Sequence, residues 1–347
     1  MDFTKIIKTF GIAFSMIFIF QGCDNSLDVS ADWKEIAVVY GLLNPTDEEN
    51  FIRINKAYLS PDGNAVELAG VSDSLYFDSL DVKVVEFQNG TERRVFTLDR
   101  INGNDIGLPK DSGLFANDVN YLYRLTAQLK ESDLSNTYAY QVLIVNKFSG
   151  KIITARFDMI GRMDLLSPLK PFNPILDIPS DAGRSLVFKY REGRFAKMYD
   201  AKMRFYFDEL NINDTTKVRR DSVDWQLFTG KETVSLRGYD ENIVIVSSSL
   251  FYENLLSKIP VNNQVKRKGV SLSLHFYGGG EHLYTYIQVN KPSLGIVQKK
   301  PEFTNISPGL GVFSARYINR IENIRIDENT TQYLVESEKM KPLGFSY

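Results

Sequence analysis

The chain has 347 residues, of which 43% are hydrophobic and 24% are charged, a composition typical of soluble globular domains. A chain of this length can bury one or two sizeable cores, so two domains are expected. The formal net charge of −2 gives no electrostatic reason to expect a nucleic acid partner. Cys23 is the single cysteine, which excludes an internal disulfide.

The first 22 residues have the three parts of an export signal. Lys5 and Lys8 precede an apolar run over residues 10–20, and the small residue Gly22 stands directly before Cys23. The apolar run is short for a helix that spans a bilayer. We therefore predict that residues 1–22 are a signal peptide that is removed.

Cys23 decides between an ordinary signal peptide and a lipoprotein signal. Residues 20–23, Phe-Gln-Gly-Cys, resemble the lipobox of bacterial lipoproteins. The resemblance implies cleavage before Cys23 and lipid on its thiol, and acyl chains anchor a protein at about 0.8 kcal/mol per buried methylene. The alternative is an incidental thiol after a plain signal peptide or a membrane helix. We expect membrane lipid as a partner through Cys23, with residues 23–32 as a polar tether.

The pattern of the next segment, residues 33–165, predicts an antiparallel β-sandwich of immunoglobulin-like or fibronectin-like type. Short runs rich in Val, Ile, Tyr, Phe and Thr alternate there with turn residues. The runs cover residues 36–43, 51–58, 82–87, 94–98, 121–129, 138–145 and 152–157.

A proline-rich linker over residues 166–182 is predicted to end this domain, because proline interrupts both helices and central strands. Residues 183–347 are predicted to form a second β-sandwich. In it Met203, Phe205 and Phe207 alternate with polar residues, which is typical of a strand with one wet side. Residues 250–259 have helical spacing and end at a proline. The predicted fold is therefore mainly β, with two antiparallel β-sandwich domains and one short helix in the second.

The clearest predicted hairpin joins residues 270–277 to residues 281–289 through three glycines. Its register places both histidines of the chain opposite each other on an outward face that also carries three tyrosines. This face is a candidate ligand surface for a sugar or a protein, and its members are His275, Tyr277, His282, Tyr284 and Tyr286. The two histidines are also a weak metal candidate, because a third ligand is missing. The alternative is an ordinary, partly covered sheet face.

Three further segments carry predictions. The basic residues 266–268 are expected at a charged hairpin tip, and residues 305–316 are expected to wrap a sheet edge or to form an interaction loop. Glycines in the latter segment indicate unusual dihedrals or close backbone approach. Asp-Ser/Thr-apolar tripeptides resemble the O-glycosylation sites of Bacteroidota, and their hydroxyl residues are Ser74, Ser79, Thr215 and Ser222.

Two stretches resemble a family of Bacteroidota envelope lipoproteins with β-sandwich ectodomains: residues 38–57 and residues 303–316. The resemblance implies an envelope location and a β fold, and it implies no catalytic residues. No nucleophile, phosphate-binding or zinc-protease motif occurs, so no cofactor is predicted. We expect a non-enzymatic binding or accessory subunit at the outer membrane, with an outer-membrane protein complex or a surface glycan as partner. The alternative is a carbohydrate-active enzyme that uses a carboxylate pair.

Overall fold

The computed structural model describes residues 36–57, 67, 69–169, 173–180, 184–233, 235–292 and 302–347, except the side chain of Thr215. The predicted signal peptide, the tether and Cys23 lie outside the described residues. So does part of the predicted linker, so these predictions stay predictions.

The described residues form a mainly β fold, as predicted, with strands in three sheets. The strands are β1 Ile36–Leu43, β2 Glu49–Ala57, β3 Leu80–Gln88, β4 Thr91–Thr97, β5 Asp99–Asn102, β6 Tyr121–Thr126, β7 Tyr138–Asn146, β8 Ile152–Asp158, β9 Asp164–Ser167, β10 Ile175–Leu176, β11 Ser185–Arg191, β12 Ala196–Asn211, β13 Asp214–Glu232, β14 Glu241–Ser247, β15 Val265–Gly280 and β16 Leu310–Ile326. The α-helices in this part of the chain are α1 Ser72–Leu75, α2 Ser249–Lys258, α3 Glu281–Asn290 and α4 Glu328–Glu336.

The largest sheet, called here the central sheet, has the strand order β13-β12-β15-β16-β1-β2-β6-β5, with β10 added beside β16. A four-stranded sheet, β4-β3-β7-β8, and a three-stranded sheet, β14-β11-β9, pack against it. Successive side chains of a strand point to opposite faces of the sheet, and this alternation explains which residues are buried. In β12, Met203, Phe205 and Phe207 are buried, while Lys202 and Arg204 are half-buried on the other face.

One seam of the central sheet joins strands from the two ends of the chain. β16 pairs in parallel with β1 and antiparallel with β15. Phe157 and Phe313, from the two predicted domains, pack with ring centroids 4.8 Å apart in a shared core. The position of the domain boundary stays a prediction, but strands on both sides of it share this sheet.

The prediction that residues 305–316 wrap a sheet edge is confirmed for the start of the segment, where Ser307 pairs with Thr154 on the edge strand β8 through two backbone hydrogen bonds of 2.8 and 2.9 Å. It was wrong for residues 310–316, which lie in β16 between β15 and β1. The expected unusual dihedrals are confirmed: φ is +155° at Gly309 and +107° at Gly311. A Cβ atom at Gly311 would lie 2.0 Å from the carbonyl oxygen of Val39. The glycine therefore allows β1 and β16 to approach closely.

The predicted hairpin at residues 270–289 was also wrong. β15 runs through all three glycines with β12 on one side and β16 on the other, so no edge is left for a hairpin partner. A Cβ at Gly278 would lie 2.3 Å from the Met163 sulfur, and one at Gly279 would lie 2.8 Å from Met198 Cγ. The glycines serve close packing, and the chain then continues as helix α3. A single helix was predicted in the second half of the chain, and α2 matches it within one residue. Helices α3 and α4 were not predicted.

The basic run at residues 266–268 does not form an exposed hairpin tip. It lies within β15, and Arg267 is fully buried. Its guanidinium donates to Glu209 Oε1 at 2.9 Å, to the Leu343 carbonyl at 2.6 Å and to the Pro260 carbonyl at 2.9 Å. Arg267 therefore fastens the C-terminal segment to the sheet, since a buried guanidinium must have its donors satisfied.

Candidate ligand groove on the outer face of the central sheet

A groove lies on the outer face of β1 and β2. In β1, Val39 points into the core, so the flanking residues Val38 and Tyr40 point outward. In the neighbouring strand, Asn55 lies opposite Val38 and Arg53 lies opposite Tyr40. These four outward side chains form the floor of the groove.

The wall of the groove is built from residues 69–75 and the loop at residues 108–116. The Ala116 amide donates to the Ala69 carbonyl at 2.8 Å, which fastens one part of the wall to the other. Asn120 Nδ2 donates to the Leu108 carbonyl at 2.7 Å and holds the start of the loop. These bonds hold the loop at residues 108–116 beside the sheet, although the loop has no strand or helix of its own.

The open groove has a volume of 570 Å³, within the range of pockets that take small ligands. Most of the lining side chains are apolar, namely Val38, Ala57, Ala69, Leu75, Leu114 and Phe115. At the rim, Leu114 is 70% exposed and Phe115 is 61% exposed. A second hollow of 390 Å³ continues from Tyr40 and Arg53 toward Leu122. The two hollows give the groove an elongated shape.

Three cations line the groove: Arg53, Lys56 and Lys110. Burial lowers the pKa of Lys110, and the charge of Arg53 lowers it further, while Asp118 acts in the opposite direction. Among the described residues, neither Arg53 nor Lys110 forms an ion pair. Arg53 donates to Asn120 Oδ1 at 3.3 Å, and Lys110 Nζ donates to the Ala116 carbonyl at 2.6 Å. The groove therefore combines an apolar lining with positive charge.

Tyr286 is the one member of the predicted ligand face that reaches this groove. Its hydroxyl lies 3.2 Å from that of Tyr40, and the two rings pack edge to face with centroids 6.1 Å apart. Burial and this hydrogen bond raise the pKa of Tyr40 to about 12. Helix α3 thus borders the groove through one tyrosine pair.

His275 and Tyr277 lie elsewhere, on the outer face of β15. His275 Nδ1 is 3.2 Å from the Tyr277 hydroxyl, and His275 Nε2 is 2.8 Å from Glu322 Oε1. Both ring nitrogens therefore have partners. The acidic neighbour could not be found from sequence, because it comes from β16, which was not predicted to pair with β15.

His282 and Tyr284 are carried by helix α3 and do not join His275. The His282 ring stacks on Phe303 with centroids 6.1 Å apart, and Lys197 Nζ lies 5.6 Å from the centre of the Tyr284 ring. A hydrogen bond to Glu232 raises the pKa of Tyr284. The predicted opposition of the two histidines was wrong. In the described part of the chain, no three His, Cys, Asp or Glu residues converge as metal ligands.

One carboxyl group lies in a separate polar hollow of 430 Å³. Glu131 there accepts a hydrogen bond from the Tyr317 hydroxyl at 3.3 Å, and burial raises the pKa of Glu131. The nearby carboxylate of Asp164 is engaged by Arg162 at 2.8 Å. The hollow therefore contains one carboxyl group with a raised pKa, and an ion-paired carboxylate lies near it.

The candidate glycosylation residues lie in different settings. Ser74 lies on α1, where its hydroxyl donates to the Val71 carbonyl at 2.7 Å. Ser79 and Ser222 are half-buried, and the side chain of Thr215 lies outside the described residues. Modification of these residues stays a prediction.

Sequence reasoning missed the groove, because its floor and wall are distant in the chain. One local signal was available: Leu114 and Phe115 form an apolar pair inside the otherwise polar stretch at residues 110–118. Two adjacent apolar side chains in such a polar loop are a candidate for part of an exposed apolar patch.

No family model and no curated protein sequence matches the chain. Among solved structures, it is similar to the C-terminal globular domain of an oligosaccharyltransferase from Pyrococcus abyssi, at 9% sequence identity and a TM-score of 0.24. The match covers 70% of this chain and 47% of that one, so it spans about half the length of that structure. At this TM-score the similarity carries no functional argument. No helix among the described residues is long and apolar enough to cross a membrane.

Proposed function

We propose that this protein is a lipoprotein of the bacterial cell envelope, anchored at the outer membrane through Cys23, and that it acts by binding a ligand in the groove. The observation that carries the binding function is the groove itself. It has an apolar lining, two exposed apolar rim residues and two cations, Arg53 and Lys110, that form no ion pair within the described structure. The sequence around Cys23 supports the anchor.

Exposure of Leu114 and Phe115 favours a binding role. Covering a fully exposed side chain of this kind is worth roughly 1.5–3 kcal/mol. Both residues stand at the mouth of a cavity, so a ligand in the groove would cover them together with the apolar floor. The favoured partner is therefore a molecule with an apolar part, presented by the envelope or by an outer-membrane protein complex.

The binding function can be tested by photo-crosslinking in cells. A benzophenone amino acid replaces Phe115 in one variant and Phe148 in a control. Phe148 is 79% exposed at the turn between β7 and β8, away from the groove lining. We expect a specific adduct from position 115 and none from position 148. Identical patterns from both positions, or no adduct at 115, would show that the groove is not a binding site.

The anchor needs its own test, because it depends on a part of the chain outside the described fold. In the expressing bacterium, wild-type protein should incorporate labelled acyl chains and fractionate with membranes. The Cys23→Ala variant should lose both properties. If Cys23→Ala still labels and stays with membranes, the anchor proposal is wrong.

The Glu131 hollow supports a second candidate, a carbohydrate-active enzyme. Such enzymes use one protonated carboxyl and one carboxylate, and the pKa of Glu131 is shifted in the direction that the protonated acid needs. Asp164 is the nearby second group, but Arg162 and Arg191 both contact it. Aryl-glycoside and envelope-glycan hydrolysis should be compared between wild type and Glu131→Gln. Turnover that disappears in Glu131→Gln would favour the enzyme over the binding protein.

A further inference from the structure

We infer that the groove selects an amphipathic anion, a ligand with an apolar body and one negatively charged head, with Arg53 and Lys110 as the residues that bind the head. This inference rests on the proposed binding function. It adds the chemical class of the ligand and the side chains that recognise its charge.

The charges of the groove are the first argument. Arg53 and Lys110 are close enough for the charge of one to lower the pKa of the other, and burial lowers the pKa of Lys110 as well. Two cations in one hollow repel each other in the absence of an anion. Asp118 offsets this only in part, because it is exposed and accepts a hydrogen bond from the Ser72 hydroxyl. An anionic group between the two cations would relieve the repulsion.

Unused hydrogen-bond donors are the second argument. The guanidinium of Arg53 carries five N–H donors, and its bond in the described structure goes to Asn120 Oδ1. The ammonium of Lys110 carries three, and one of them goes to the Ala116 carbonyl. With respect to the described residues, both groups therefore keep donors for the oxygens of a carboxylate or a similar head, and charge-assisted bonds of this kind are the strong ones.

The apolar lining is the third argument, and it excludes small hydrophilic anions as the best ligands. Such an anion would pair with Arg53 and Lys110 but leave Leu114 and Phe115 exposed to water. A neutral apolar molecule would cover these residues but leave the cations without a counter-charge. Only a ligand with both properties matches the whole groove.

Three probes with the same twelve-carbon chain separate these properties: laurate, dodecanol and dodecyltrimethylammonium. Calorimetric titrations below the micellar concentrations use the chain from residue 24 onward with no lipid, which contains every described residue. The variants are Arg53→Gln, Lys110→Gln and Phe115→Ser, with Lys147→Gln as a control for an exposed lysine away from the groove.

We expect wild type to bind laurate at least about tenfold more tightly than dodecyltrimethylammonium, the factor that corresponds to one well-placed charge contact. Arg53→Gln and Lys110→Gln should each weaken laurate about tenfold and leave dodecanol unchanged. Phe115→Ser should weaken both laurate and dodecanol, and Lys147→Gln should weaken neither.

Equal affinity of the wild-type protein for laurate and dodecyltrimethylammonium would overturn the inference. This comparison needs no variant, so it does not depend on whether the variants fold. An equal loss of laurate affinity in Lys147→Gln would also overturn it, because the effect would then be non-specific. If none of the three probes binds while position 115 still crosslinks in cells, the ligand class is wrong and the proposed binding function stands. If no probe binds and position 115 gives no adduct in cells, both the ligand class and the proposed binding function are wrong.

Discussion

Two outward regions of the central sheet differ in how their charged side chains are used. On the long strands β12, β13, β15 and β16, charged side chains contact one another: Lys202 Nζ lies 3.0 Å from Asp224, Arg220 lies 2.8 Å from Asp208, and His275 lies 2.8 Å from Glu322. On β1 and β2, Arg53 has no ion-pair partner within the described ranges. Arg53 instead lines the apolar groove together with Lys110 of the loop at residues 108–116.

The difference separates a structural surface from a candidate binding surface. Charged side chains that pair with one another stabilise the sheet face that they cover. Few of their hydrogen-bond donors and acceptors then remain for a ligand. The groove keeps donors and apolar area available, which costs stability and is typical of functional sites. Substitutions in the two regions should therefore affect stability very differently.

The largest loss of stability is expected at the seam that joins the groove floor to the long strands. Gly311→Ala would place a Cβ atom 2.0 Å from the Val39 carbonyl oxygen, at a φ of +107°. We expect a loss of at least about 4 kcal/mol in the free energy of unfolding, since overpacking and backbone strain both contribute. Urea denaturation monitored by tryptophan fluorescence measures it.

Gly150→Ala is the matched control. Gly150 also has a positive φ, +66°, but no atom lies within 4 Å of the position that a Cβ would take there. Only the backbone cost of about 1–2 kcal/mol should appear at this residue. Equal losses at the two glycines would mean that close approach of β1 and β16 is not what Gly311 provides.

Removal of the partner of Arg267 should have the next largest effect. Glu209→Ala leaves a fully buried guanidinium with carbonyl partners alone, and breaking a buried ion pair costs about 3–5 kcal/mol. Glu338→Ala removes an ion pair whose carboxylate side chain is 87% exposed, so it should cost less than about 1 kcal/mol. Chemical denaturation of both variants checks the contrast, which fails if the two losses are similar.

The ion pairs of Asp224 predict a smaller, pH-dependent effect. Hydrogen bonds from Arg204 and then Lys202 hold the pKa of Asp224 well below its usual range. The stabilisation is therefore complete above the unfolded-state pKa of about 4 and is lost as the pH falls through the folded-state value.

We expect Asp224→Asn to lose about 1 kcal/mol or less at pH 7, because the carboxylate is partly exposed to solvent. The difference from wild type should shrink below pH 4. Denaturation midpoints between pH 2.5 and pH 7 test this sign. A difference that grows as the pH falls would contradict it.

The smallest effect on stability is expected in the groove. Leu114→Ser and Phe115→Ser alter side chains that are mostly exposed, so the free energy of unfolding should change by no more than about 0.5 kcal/mol. Thermal unfolding of both variants without ligand measures the change. A loss of several kcal/mol would show that these residues hold the wall together and would weaken the case for a ligand.

Local patterns predicted the strands with clean alternation and the helix that a proline ends. β1 was predicted with its observed bounds, and α2 was predicted within one residue. Long-range pairing has no local signature. The glycines of residues 305–316 indicated close backbone approach, but the sequence could not identify β1 as the partner strand. The burial of Arg267 could not be predicted either, because a basic run is typical of an exposed surface. The groove was missed for the same reason, since its cations and its rim residues belong to distant segments.

The most direct test of ligand binding in the groove is a crystal structure of the chain from residue 24 onward grown with laurate. We expect electron density for the acyl chain in the groove, in contact with Leu114 and Phe115, and for the carboxylate within hydrogen-bond distance of Arg53 and Lys110. A groove that stays empty at saturating laurate, or one filled by another part of the same chain, would contradict the proposed binding site.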